Sequence, residues 1–269
     1  MQHPYVNIAI KAARRAGNVI TRAIESRKNI HVSEKGLNDL VTSVDKAAEA
    51  DIIETIRRAY PSHGILGEEG GYQEGDETIW VIDPIDGTMN FVHGYPQYVV
   101  SIGIKHKGQY EHGVVYDPLT QDLYVASKGQ GTQLNGCRVR VSGRSNLTGA
   151  LLSTGFPYTA EGRSPVTGGL MDKHINVFKT VYQDCADIRN SGSSALNLAL
   201  VAAGRLDGYW QVDLKEWDVA AGIVLVQEAG GIVSNYQGKF DFESGHIIAG
   251  TPKVQAALLS EIQRVDLVI

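Results

Sequence analysis

The run Ile79-Trp80-Val81-Ile82-Asp83-Pro84-Ile85-Asp86-Gly87 constrains the fold more than any other part of the chain. Its apolar start reads as a buried strand, and the strand stops abruptly at Asp83. Pro84 withholds an N–H and fixes the turn. A second carboxylate, Asp86, follows three residues later, and Gly87 frees the backbone at the start of a short helix. Two carboxylates forced together at a strand end repel, and one tends to protonate unless a cation holds both. Hard oxygen ligands at such a turn suit Mg²⁺ rather than zinc. N–H groups from Gly87 onward are placed to receive phosphate oxygens, as helix N-termini do. The plain alternative is a capped Asp-Pro/Asp-Gly turn that binds nothing.

Four other stretches bear on that choice. Gly64-Ile65-Leu66-Gly67 is a second short apolar run, and it ends in Glu68-Glu69-Gly70. Alone, such a pair of acids is a solvated loop. Glu68 follows its strand as Asp83 follows its own, which puts both on one edge of one sheet. In Glu216-Trp217-Asp218-Val219-Ala220-Ala221-Gly222, Asp218 either N-caps a helix over 218–229 or points an oxygen at a metal beside the shielding Trp217. Thr42 and Asp45 fit a capping box that opens a helix over 43–60. The functional alternative has Asp45 accept a hydrogen bond from Thr88, so that Thr88 orients a water. Ser191-Gly192-Ser193-Ser194-Ala195 opens a helix around 193–204, where the serines serve either as caps or as partners of substrate hydroxyls.

Periodicity predicts a first helix over 4–27, with Val6, Ile10, Ala13, Gly17, Ile20 and Ile24 on one face. An antiparallel meander follows over about 97–141, built from Tyr98–Lys105, Tyr110–Tyr116 and Asp122–Ser127. Ser142-Gly143-Arg144-Ser145-Asn146 is the boundary between an N-terminal α+β half, about 1–143, and a C-terminal α/β half, about 144–269. The second half alternates: a strand at Leu151–Thr154, a polar loop over Tyr158–Gly169, and helices near 170–184 and 193–204. A strand at 206–212, the 218–229 helix, strands at Ile232–Asn235 and His246–Ala249, and a last helix from Thr251-Pro252 follow.

Composition removes several classes. The 43% hydrophobic and 20% charged content is that of a globular chain, and a net charge of −5 argues against binding nucleic acid through bulk basic charge. Two cysteines, Cys137 and Cys185, make neither a CxxC pair nor a disulfide framework, so a reducing, cytoplasmic setting is expected. No signal-peptide h-region and no apolar run of membrane-spanning length occurs. Gly131 to Gly136 has P-loop spacing, but Cys137-Arg138 follows where Lys-Ser/Thr is required. There is no Gly-x-Ser-x-Gly elbow, no H-x-x-x-H pair and no aromatic-basic stripe for RNA stacking.

The stretches Trp80–Phe91, Gly67-Glu68-Glu69, Asp39-Leu40-Val41-Thr42 with Asp45, and Trp217–Gly222 together resemble the inositol monophosphatase family, and most of all its bacterial branch. The resemblance runs from the first predicted helix to the last. It implies a layered α-β-α-β-α fold of the inositol monophosphatase and fructose bisphosphatase type, acting as one catalytic unit. It implies a Mg²⁺-dependent, lithium-sensitive homodimer that hydrolyses a phosphomonoester such as inositol-1-phosphate. Glu68, Asp83, Asp86, Asp218 and the Ile85 carbonyl would hold two or three Mg²⁺. Asp45, Thr88 and Glu68 would be catalytic, with Thr88 paired to Asp45. Asp86, Gly87, Thr88, Met89, Gly192, Ser193, Ser194 and Gln211 would line the substrate, and Lys35 and Asp39 a flap. Other members of the superfamily hydrolyse 3′(2′),5′-bisphosphate nucleotides, histidinol phosphate or fructose-1,6-bisphosphate. Bacterial relatives are also associated with transcription and ribosomal-RNA processing complexes, which makes a regulatory partner the alternative of another class. The sequence departs from the family pattern at Met89, where Thr is usual, at Gly70, where Ser is common, and at Gln211, where a Glu usually holds inositol hydroxyls. Gln keeps an acceptor and loses the charge.

Overall fold

The computed structural model describes residues 2–26, 32–36, 39–157, 169–242 and 244–265, with the side chains of 34–36 and 39–41 outside the description. The predicted polar loop over Tyr158–Gly169 falls almost wholly outside the described residues.

Helices α1 (Pro4–Ser26) and α2 (Ser43–Ala59) pack together on one face of an eight-stranded sheet. Both form for the reason the sequence gives: an apolar residue every third or fourth position. α1 buries Val6, Ala9, Ala13, Ala16 and Ile20; α2 buries Val44, Ala48, Ile52 and Ile56. A hairpin of β1 (Val32–Gly36) and β2 (Asp39–Thr42) links them.

The large sheet contains β3 (Gly64–Gly67), β4 (Gly71–Gln73), β5 (Thr78–Asp86), β6 (Val99–His106), β7 (Gln109–Tyr116), β8 (Leu123–Ser127), β9 (Gly131–Leu134) and β10 (Cys137–Val139). Its order is β10-β9-β8-β7-β6-β5-β3-β4. Strands β5 to β10 form the antiparallel meander, extended at its end by a hairpin the strand pattern did not mark. The turn Asn135-Gly136 has positive φ at both residues, the geometry a two-residue hairpin needs. β3 pairs parallel to β5, so Glu68 and the acids of β5 emerge at the same sheet edge.

The second sheet has the order β12-β11-β13-β15-β14, from β11 (Leu151–Gly155), β12 (Asp187–Arg189), β13 (Gly208–Gln211), β14 (Ile232–Ser234) and β15 (Ile247–Gly250). Helix α3 (Thr88–His93) follows β5. Helices α4 (Leu170–Asp184) and α7 (Pro252–Arg264) cover the outer face of this sheet, while α5 (Ser194–Ala202) and α6 (Glu216–Glu228) lie between the two sheets. Alternation along the strands makes three cores. Trp80, Ile82, Ile102 and Val114 face α1 and α2. Val99, Val115 and Ala126 meet α5, α6 and the facing Tyr209, Ile247 and Ala249. Leu152, Trp210 and Ile248 pack with Val177, Val181, Val254 and Leu258 outside. The layers are therefore α-β-α-β-α, as the resemblance implies.

Helix α6 is buried without a break from Asp218 to Val226, which fits its all-round apolar sequence. It lies so close to the large sheet that a Cβ on Gly103 would stand 2.6 Å from the Ala220 Cβ and 3.0 Å from the α6 backbone. This contact fixes the height of α6, and of Asp218, above β5 and β6. Gly103→Val is expected to cost about 2–3 kcal/mol by overpacking and to lower Tm by roughly 5–10 °C in thermal unfolding. An unchanged Tm would contradict the close approach.

Candidate metal centre

β5 does not stop at Asp83, as its apolar run suggests. Asp83 pairs with Ser101 and Asp86 with Val99, so β5 takes three steps while β6 takes two. The extra residue is a bulge at Pro84-Ile85, where a proline inside a sheet is tolerated. The bulge brings both carboxylates to the same end of the strand. Asp83 Oδ1 accepts the Ile85 N–H at 3.0 Å.

Asp218 comes from α6, yet it is not the N-cap. The helix starts two residues earlier, at Glu216, because Lys215 takes the extended capping position. Asp218 is then the third helical residue, and it reaches back to accept the Lys215 N–H at 2.7 Å. Its other side turns to β5: oxygens of Asp83, Asp86 and Asp218 all lie within 4.8 Å of one another, and all three residues are buried.

Burial, then the charges of Glu68, Asp86 and Asp218, and a hydrogen bond with Glu68 push the Asp83 carboxyl well above its ordinary range. Burial and then Asp86 do the same to Asp218. Burial raises Asp86 only to about 6, because the Ser193 hydroxyl and the N–H groups of Ala195, Ser194 and Leu196 hold its charged form. At an effective dielectric of about 20, two full charges this close repel by about 3–4 kcal/mol. Three such pairs approach the entire stability of an ordinary domain, about 5–15 kcal/mol. The set therefore takes up protons or a cation. Clustered hard carboxylate oxygens with no sulfur or imidazole among them fit a divalent cation of the Mg²⁺ kind.

Several of the other predicted residues connect to this cluster or to the β5 turn that carries it. Glu68, half-buried, follows β3 and reaches Asp83. Asp45 makes both of the hydrogen-bond arrangements left open by the sequence. Its Oδ2 closes the capping box with the Thr42 N–H, at 2.8 Å, and hydroxyl, while its Oδ1 lies 2.9 Å from the Thr88 hydroxyl. That hydroxyl also lies 3.0 Å from the Ile85 carbonyl. It has one proton, and the carboxylate is the stronger acceptor. Gly87 caps α3 at φ +105, a conformation reserved for glycine. The first helical bond runs from Phe91 N–H to the Gly87 carbonyl, so the N–H groups of Thr88, Met89 and Asn90 precede the ladder. The Met89 side chain is exposed.

The capping role the sequence offers for the α5 serines is not filled by Ser193. Ser193, the N-cap, makes no side-chain cap; its hydroxyl donates to Asp86 at 2.6 Å. Asp86 caps the helix instead, accepting Ser194 N–H at 3.1 Å and Ala195 N–H at 2.6 Å. Gly192 lies against α3 through Asn90. Gln211 is buried, and its side-chain carbonyl accepts the Tyr209 hydroxyl at 2.7 Å. The side chains of Lys35 and Asp39 lie outside the described residues.

Two positioning residues escape the sequence reading. Glu49, buried on α2 one turn after Asp45, accepts the N–H groups of Glu69 at 2.9 Å and Gly70 at 2.7 Å, and so fixes the turn that carries Glu68. Its place on the apolar stripe of α2, four residues from Asp45, is the signal that marks it. Asn90 donates to the carbonyls of Gln97 at 2.6 Å and Ser191 at 2.7 Å, tying α3 to the loop before α5.

The charge arrangement predicts a pH dependence. Asp86 binds its proton more tightly folded, at about 6, than at its ordinary 3.8. Its contribution to stability is complete below about pH 4 and lost as pH rises through about 6. The buried His112 and His174, pushed down to about 4 by burial, run the opposite way. The carboxylate share is thus the stability difference between wild type and Asp86→Asn. In chelator this difference should fall from about pH 4 to about pH 7, and Mg²⁺ should restore it. A difference that rises with pH in chelator contradicts the assignment.

Comparison with known proteins agrees with the geometry. The profile of the inositol monophosphatase family matches residues 1–267. The chain is 51% identical over 265 residues to the Nus factor SuhB of Pseudomonas aeruginosa, covering 97% of this chain and 96% of that protein. It matches the crystal structure of extragenic suppressor protein SuhB from Bartonella henselae with a TM-score of 0.92 and 35% identity, over 97% of this chain and 99% of that one. A structure of SaIMPase-II with inositol monophosphate bound matches with a TM-score of 0.79 and 31% identity, over 97% and 94% of the two chains. With its fold, its profile and its relatives in agreement, this chain belongs to the inositol monophosphatase family.

Proposed function

We propose that the protein is a Mg²⁺-dependent phosphomonoesterase that hydrolyses inositol-1-phosphate, or a similar polyol monophosphate, to the free alcohol and phosphate. The three buried carboxylate groups within 4.8 Å of one another are the observation that carries this reading. Phosphate monoester hydrolysis is among the slowest uncatalysed reactions, and accelerations reach about 10²¹. A lone hydroxyl or carboxyl does not supply that, whereas bound Mg²⁺ ions supply Lewis acidity, an activated water and stabilisation of the leaving oxygen. Asp83, Asp86, Asp218, Glu68 and the Ile85 carbonyl would hold two or three ions.

The chain's own groups do the rest. The Thr88 hydroxyl, held by Asp45, orients the attacking water. The N–H groups at Gly87, Thr88 and Met89 bind phosphate oxygens at the start of α3. Gly192, Ser193, Ser194 and Gln211 flank the polyol, and Lys35 and Asp39 form the flap. Gln211 already accepts from Tyr209, so it offers inositol a weaker grip than a charged Glu would. Ligands from β5 and α6 make the two halves one catalytic unit. The reading includes lithium sensitivity, a homodimer and a cytoplasmic setting; Cys137 and Cys185 are both free. Among the described residues, no helix is long and apolar enough to cross a membrane.

A second reading rests on the relatives. A protein 51% identical over nearly its whole length is named a Nus factor. This supports a regulatory role in transcription complexes, beside catalysis or instead of it.

A phosphate-release panel separates these readings. It takes inositol-1-phosphate, a 3′(2′),5′-bisphosphate nucleotide, histidinol phosphate and fructose-1,6-bisphosphate, each with and without Mg²⁺. The polyol monophosphate should be turned over only with Mg²⁺, and Asp83→Asn should lose that turnover with the fold retained. Thr88→Val should lower kcat by about tenfold or more with little change in KM. Wild-type rates in Asp83→Asn, or preference for another substrate, would refute the proposal. Transcription proteins captured equally by Asp83→Asn would support the separate binding role.

A further inference from the structure

Ser101 lies in the middle of β6, fully buried, and its hydroxyl has no hydrogen-bond partner. An unpaired buried hydroxyl is destabilising, so its position asks for a reason. Its surroundings supply one. Ser101 stands directly opposite Asp83 in the antiparallel pairing of β5 and β6. Residues so paired share a face of the sheet, with Cβ atoms about 4.5–5.5 Å apart. That face is the one toward α6, because Gly103, two residues along, meets Ala220. The unpaired hydroxyl therefore stands on the neighbouring strand β6, on the same sheet face as Asp83 of the carboxylate cluster.

We propose that Ser101 is a positioning residue of the cation site, its hydroxyl donating to the Asp83 carboxylate and orienting it toward the bound ion. A carboxylate has about four acceptor positions; Asp83 spends one on the Ile85 N–H and shares a hydrogen bond with Glu68. Cation binding uses another and leaves one for a donor across the strand. Such outer partners fix ligand orientation, and their loss typically costs about 10–100-fold in metal affinity or activity. The inference rests on the Mg²⁺-dependent reading of this site.

The test is a Mg²⁺ titration of chelator-treated protein by calorimetry, with thermal unfolding followed with and without the ion. Ser101→Ala should bind Mg²⁺ about tenfold or more weaker, with substrate KM at saturating Mg²⁺ unchanged. In chelator its Tm should equal or exceed that of wild type, because the deleted hydroxyl had no partner there. Ser101→Cys, which keeps the size and a weak donor, should fall between the two, and it serves if the alanine variant fails to fold. Mg²⁺ affinity of Ser101→Ala within about twofold of wild type overturns the inference. So does a loss of Tm that is the same with and without Mg²⁺, which marks an ordinary core hydroxyl. Wild type that binds no Mg²⁺ overturns both this inference and the proposed function, whereas equal binding by the variant and wild type overturns the role of Ser101 alone.

Discussion

Mutual repulsion among Asp83, Asp86 and Asp218 is the constraint on which the rest of the structure turns. All three are buried, with oxygens within 4.8 Å of one another. Left as three full charges, they would consume most of the stability of a folded chain. The fold does not relieve the repulsion by spreading them apart. It holds them there with a bulge in β5, an overclose helix α6 and hydrogen bonds to each carboxylate. A constellation that unfavourable persists where a cation gives it purpose.

The supports are shared between the halves of the chain. Asp86 leaves the large sheet and caps α5, so a metal-type ligand and a helix cap are one side chain. A carboxylate at a helix N-terminus is favoured by the exposed N–H groups and the helix dipole. This explains why Asp86 stays nearest to its ordinary range among the three. Asn90 repeats the connection a few residues on, through Ser191. Asp45 and Glu49, one turn apart on α2, brace Thr88 and the Glu68 turn from the opposite side. Displacing α2 or α5 would disturb the cluster without touching a ligand.

What the sequence disclosed followed its local chemistry. Acids set at the ends of apolar runs marked Asp83, Asp86 and Glu68, and the helical stripes of α1 and α2 were plain. What it concealed depended on distant partners. Ser193 looks like the cap of its own helix, but the capping carboxylate comes from 107 residues away. Glu49 looks like a solvated helix acid until the 67–70 turn folds over it. Asp218 lies two residues inside α6 because Lys215, a poor capping type, takes the cap position. The bulge at Pro84 keeps β5 paired as far as Asp86, where a proline normally ends a strand. The β9–β10 hairpin is different: its Asn135-Gly136 turn signal is local, but its strands are too short for alternation to mark them.

Manganese, which binds the same hard oxygen sites and scatters anomalously, tests the central claim most directly. A crystal grown with Mn²⁺ should show anomalous peaks at about 2.0–2.4 Å from carboxylate oxygens of Asp83, Asp86 and Asp218. Saturating Mn²⁺ with no peak among those three side chains, or peaks only elsewhere on the molecule, would contradict it.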